Sequence, residues 1–149
     1  MKRRLLLGLF ILTLCTACGP AQPPELRIVG FDNTRHMGDP VSGCWLGTCY
    51  DGFAVSFDDP FVLDTTQLVI EYGDRRPREM HATVWALDEN QRMDWDQSQM
   101  VDERTLVPRG AGDSVQWWPQ LNGSGDYIVT VQGDWPNGDV MYAWSITFE

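Results

Sequence analysis

From residue 18 onward this chain contains no lysine; its only cations there are eight arginines, set against 21 Asp and Glu, a net charge of −13. So little positive charge leaves no basic footprint for phosphate, which excludes nucleic acid as the natural partner. Such a domain is also repelled by an anionic bilayer, so membrane attachment must come from outside the fold. Histidine is scarce as well: His36 and His81 are the only two, with neither H-x-H nor H-x3-H spacing. The chain has no G-x-S-x-G elbow, no phosphate-binding glycine loop and no dinucleotide fingerprint. Gly123-Ser124-Gly125 reads as a turn. On these grounds no cofactor is expected and no enzymatic activity either, a small hydrolase being the least supported reading. Nor is there an apolar run approaching the ~20 residues that span a bilayer, a stretch of sustained helical periodicity, or a repeat.

Aromatic residues, glycine and proline are plentiful instead, with seven Trp, 14 Gly and nine Pro. Trp and Tyr suit pleated surfaces, while Gly and Pro punctuate short elements, so the composition favours an all-β domain. Strands are expected at Leu26–Phe31, at Phe53-Val55-Phe57, over Leu68–Tyr72 and over Met80–Leu87. Weaker signals fall at Thr105–Val107 and Val115–Trp118. The clearest alternation comes last: Tyr127, Val129 and Val131, then Val140, Tyr142, Trp144, Ile146 and Phe148. These two strands predict a hairpin connected by Gly133–Asp139, in which a one-residue slip would turn the aromatic row to water. Seven to nine short strands with regular turns predict an immunoglobulin-like antiparallel β-sandwich over residues 26–149; a jelly roll or small barrel is the alternative.

The N-terminus has its own organisation. A basic start, Met1-Lys2-Arg3-Arg4, precedes the apolar run Leu5–Leu14, and Cys15-Thr16-Ala17-Cys18-Gly19-Pro20 follows. Ten apolar residues are too few to span a bilayer, and small residues before a Cys mark a cleavage site. This segment resembles the lipobox of bacterial lipoproteins. The resemblance implies a signal peptide over residues 1–17, diacylation of Cys18, and residence in the cell envelope on a membrane, the outer one if the organism has it. Cys15 stands where the pattern usually has Leu, but bulky Leu14 before it makes it a poor acceptor. Plain secretion and an uncleaved anchor are the other readings. Residues 18–25, with Gly19-Pro20-Ala21-Gln22-Pro23-Pro24, read as a stiff, polyproline-like tether.

With Cys18 acylated and Cys15 removed, Cys44 and Cys49 remain. An exported pair is expected to form a disulfide, and the Gly in the enclosed Trp45-Leu46-Gly47-Thr48 helps the loop close. Redox, metal-binding and free-thiol roles are the alternatives, although C-x4-C is not the C-x-x-C of thiol oxidoreductases. The Cys-Trp…Cys pattern resembles that of small uncharacterised envelope lipoproteins, which implies an address and no activity.

Four tryptophans are candidate anchors for an envelope protein or glycan: Trp95, Trp117, Trp118 and Trp135. Trp117 and Trp118 must point to opposite faces of a strand, and Trp135 is expected in the final hairpin connection. Against a binding role stands the ordinary one, in which loop aromatics cap the ends of the sandwich. His36 and His81, each beside a methionine (Met37, Met80), raise a metal or small-ligand carrier as the alternative function, yet no metal is assigned to them. Asp58-Asp59 and Asp94-Trp95-Asp96 fall short of a calcium loop, which needs six to eight oxygens. The recurring Gly-Asp pairs read as turns.

Overall fold

Apolar residues in alternation bury strand faces, and eleven strands form among the described residues. The computed structural model describes residues 22–52, 59–88, 90, 93 and 99–149. In chain order the strands are β1 (Arg27–Val29), β2 (Arg35–Met37), β3 (Asp39–Trp45), β4 (Thr48–Tyr50), β5 (Phe61–Leu63) and β6 (Leu68–Glu71). They continue with β7 (Glu79–Ala86), β8 (Met100–Leu106), β9 (Ser114–Trp117), β10 (Gly125–Trp135) and β11 (Gly138–Phe148). One sheet has the order β2-β1-β6-β9; the other runs β4-β3-β11-β10-β7-β8, with β5 added along the last residues of β11. Among the described residues every pairing is antiparallel except β5 with β11. The fold is the expected all-β, immunoglobulin-like sandwich. It has more strands than the seven to nine foreseen because several are three-residue segments. The strand foreseen at Phe53-Val55-Phe57 lies outside the described residues.

Between the sheets, Ile28, Leu68, Ile70 and Trp117 of the smaller one, with Leu26 just before it, meet Val84, Val129, Val131, Trp144, Ile146 and Phe148 of the larger. Each fully buried side chain of this size contributes about 1.5–3 kcal/mol of transfer free energy. A second cluster lies on the outer face of the large sheet, where Met93 joins Trp85, Ile128 and Ala143. The indole Nε1–H of Trp85 donates to Thr130 Oγ1 there, at 2.9 Å. This cover explains why every residue of β10 from Tyr127 to Val131 is buried, where a one-sided strand would alternate.

The hairpin expected to turn over Gly133–Asp139 is longer and tighter. Trp135 pairs with Gly138, so only Pro136 and Asn137 lie in the turn. Beside it, β3 and β4 form a second hairpin whose turn residues, Leu46 and Gly47, both have positive φ (51° and 82°), as two-residue hairpins with the right twist require. Cys44 faces Cys49 across this ladder, and the two form a disulfide. Gly138, at φ 144°, has no room for a side chain, since a Cβ would come within 1.9 Å of the Cys44 carbonyl oxygen.

The end of the proline-rich stretch is bound to the domain. The Arg75 guanidinium donates to the carbonyls of Gln22 (2.9 Å) and Pro23 (3.1 Å), and the Tyr142 hydroxyl donates to that of Pro24. Pro24 is buried. The folded unit therefore begins several residues before Leu26. Burial first of all holds the Tyr142 phenol well above its ordinary value of 10.0.

Two outcomes follow for stability. On the chain-entropy model the loop closed by Cys44 and Cys49 contributes about 2 kcal/mol, so the Cys44→Ser/Cys49→Ser double variant should lose about that much in denaturant unfolding. Because the folded state keeps the Tyr142 proton beyond the pH at which the unfolded chain releases it, that group's contribution is intact below pH 10 and falls as pH rises above it. Between about pH 9 and pH 11 the urea midpoint should drop more steeply for the natural protein than for Tyr142→Phe; parallel profiles would show the phenol to be solvated.

Candidate functional site

The strand pairings give the sandwich two chemically different ends. At one lie Gln22–Pro24, the starts of β1 and β7, and the β10–β11 turn. At the other, away from the N-terminal segment, lie the β1–β2 turn, the start of β6 and the end of β9.

At this distal end the Gly30–Thr34 turn is fixed by its own chemistry. Gly30 N–H donates to the Thr34 carbonyl (2.8 Å) and Asn33 N–H to that of Gly30 (3.0 Å). Asn33 takes a left-handed φ of 64°, which Asn tolerates better than most residues. The Asp32 carboxylate accepts from Thr34 N–H at 2.9 Å and from its hydroxyl at 2.6 Å. These bonds, the hydroxyl's foremost, hold its carboxyl below the ordinary value of 3.8. Phe31 stands in this turn, 83% exposed.

Next to it β2 carries His36, whose ring lies flat on Phe61 of β5, with centroids 3.6 Å apart and planes within 5°. The stack joins an edge strand of one sheet to the strand appended to the other. Together with the turn it walls an open depression of about 370 Å³, with Phe31, His36, Phe61 and Val62 as its apolar lining and Asp32 and Asp64 as its acids. Partial burial lowers the His36 imidazole below its ordinary value of 6.5, partly opposed by the Asp32 carboxylate. Aromatic and aliphatic carbon beside two carboxylates can stack on a ring or take an apolar side chain, with hydrogen-bond acceptors at hand.

The tryptophans foreseen as anchors divide. Trp118 is 55% exposed at this same end, while Trp117, 4% exposed, points into the core. Trp135 is a core residue too, at 3%. Its ring lies beneath Gly133, packs edge-on to Trp45, and its Nε1–H donates to the Arg75 carbonyl at 2.8 Å. It belongs to a strand, and its burial removes it as an anchor. Trp95, Asp58, Asp94 and Asp96 lie outside the described residues, as does Cys18; Asp59 is exposed.

His36 and His81 are not brought together. His81 lies on the outer face of the large sheet, with Nδ1 3.2 Å from Thr105 Oγ1 and Nε2 3.5 Å from Glu79. Met80 beside it points the other way, into the core. Among the described residues no group of three or more His, Cys, Asp and Glu is placed to hold a metal ion. Phe31, Phe61, Val62, Asp32 and Asp64 were not singled out from the sequence. The one available signal was a Phe placed directly before the turn residues Asp32-Asn33.

No family model matches the chain, and no curated protein is similar to it. Among solved structures, a Bacillus amyloliquefaciens CBM33 described as in complex with Cu(I) after photoreduction is similar at a TM-score of 0.49 and 11% identity, over 83% of this chain and 78% of that one.

An NMR titration should place His36 below 6.5, moving upward when Phe61→Ala opens its face to water. An unshifted His36 would contradict the stacked, half-buried placement.

Proposed function

We propose that the chain is a lipid-anchored, non-catalytic binding module of the bacterial cell envelope, acylated on Cys18. It takes its partner, an envelope protein or glycan, in the depression between the β1–β2 turn and β5. The observation that carries this reading is Phe31. A phenyl ring 83% exposed on a hydrogen-bonded turn adds nothing to packing, and exposed apolar groups beside a concavity mark interaction sites. The His36–Phe61 stack extends the apolar surface inward, and Trp118 offers a second exposed ring at the same end. The disulfide suits an oxidising compartment.

The test uses the full-length protein in membranes, probed separately with the protein and glycan fractions of its own envelope. Phe31→Ser should weaken retention of one fraction at least about tenfold, the scale of a lost aromatic anchor, and leave thermal unfolding unchanged. Undiminished retention by both Phe31→Ser and Val62→Ser would overturn the assignment of the site.

A further inference from the structure

The opposite end of the sandwich carries a second surface. The bonds from Arg75 and Tyr142 fix Gln22–Pro24 to the domain. Only residues 19–21 then separate the proposed acylated cysteine from Gln22, a point anchored on the fold. The four steps from Cys18 to Gln22 cannot reach further than about 14 Å, so whatever surrounds Arg75 stays near the headgroups.

Three of the eight arginines lie there within four residues, Arg75-Arg76-Pro77-Arg78. Arg75 and Arg76 give their hydrogen bonds to carbonyl oxygens, Arg76 to that of Gly112 at 2.9 Å, so these contacts leave their charge uncompensated. Arg78 has one weak ion pair, 3.7 Å from Asp134. Glu25, Glu71 and Asp74 line the same depression as Arg27 and Arg75, and Glu79, Asp134 and Asp139 lie by the β10–β11 turn, so this end stays acidic, but its arginines make it less so than the rest of a domain of −13. Most of the excess acid therefore lies elsewhere.

An apolar tip adjoins the arginines. The Arg75 carbonyl accepts from Trp135, Trp135 leads into the Pro136-Asn137 turn, and the Asn137 carbonyl accepts from Leu46 N–H at 2.9 Å. Leu46, 52% exposed, is the outermost apolar side chain of the disulfide-closed hairpin.

We infer that this end is a membrane-docking face: Leu46 enters the headgroup layer while the exposed Arg76 and Arg78 meet the phosphates of an anionic bilayer, leaving the Phe31 depression turned outward. The inference rests on the lipid-anchored reading. It gives the arginines a use that the overall charge conceals, because a cation near an anionic surface contributes even on an acidic protein. An acyl anchor is also commonly paired with a basic contact at the bilayer surface.

The test is photo-crosslinking of the full-length lipoprotein in vesicles of phosphatidylcholine with phosphatidylglycerol. A benzophenone amino acid is placed in turn at positions 46, 76, 31 and 118. Lipid adducts should form at 46 and 76 several-fold more than at 31 and 118. Arg76→Glu/Arg78→Glu should cut the adduct at 46 by about fivefold or more, and pure phosphatidylcholine should abolish that difference. Flotation with the vesicles, lost in Cys18→Ala, reports the anchor separately. A protein that floats but labels equally at all four positions, or more at 31 and 118, overturns the docking face alone. A protein that does not float overturns the anchor and the docking face with it.

Discussion

The antiparallel pairing of β10 with β11, eleven residues each, is the constraint on which the rest of the structure depends. Its register is set by a two-residue turn, and it places Val129, Val131, Val140, Tyr142, Trp144 and Ile146 on the inner face together. Moved by one residue, every one of these would leave the core. Each outer edge of the pair then accepts further strands, β7 along β10 and both β3 and β5 along β11. Glycines allow the close approaches that result. A Cβ at Gly133 would strike the Trp135 ring at 2.3 Å, and one at Gly138 would strike the β3 backbone.

The same hairpin decides what the ends of the molecule can do. Its turn brings Trp135 under the β6–β7 connection, so that Arg75 is held by a core residue through its carbonyl and holds Gln22 and Pro23 through its guanidinium. At its other extremity the last residues of β11 pair with β5. That contact sets Phe61 beneath His36. One long ladder thus fixes the N-terminal segment at one end and the aromatic depression at the other.

Much of this was legible in the residues. Strict alternation over 127–148 marks the two long strands, and the spacing of Cys44 and Cys49 marks a bridge across a tight turn. The failures have one cause, which is that the deciding partners are remote in sequence. β2 and β5 are too short to show a period and exist because β1 and β11 pair with them. Trp135 looked like a loop residue because Gly133-Asp134 and Gly138-Asp139 both suggest turns, yet both pairs continue the ladder. Pro23 and Pro24 read as a stiff tether because nothing local announces that Arg75, more than fifty residues later, will bind the Pro23 carbonyl and Tyr142 that of Pro24. His36 and Phe61 carry no joint signal at all.

Two exposed rings at the distal end are exposed for different reasons, and the difference bears on which of them is suited to binding. Trp118 is exposed by alternation: with Trp117 committed to the core at the end of β9, its neighbour must face the other way. Phe31 is under no such compulsion, since a turn residue is free to lean back onto the sandwich unless something prevents it. Here the Asp32 carboxylate holds Thr34 through two hydrogen bonds while Gly30 and Thr34 close the turn between them. The ring is thereby presented by a backbone that is already ordered. A partner that covers it gains the apolar contact without the cost of ordering the loop, which is how a small surface can bind with useful affinity.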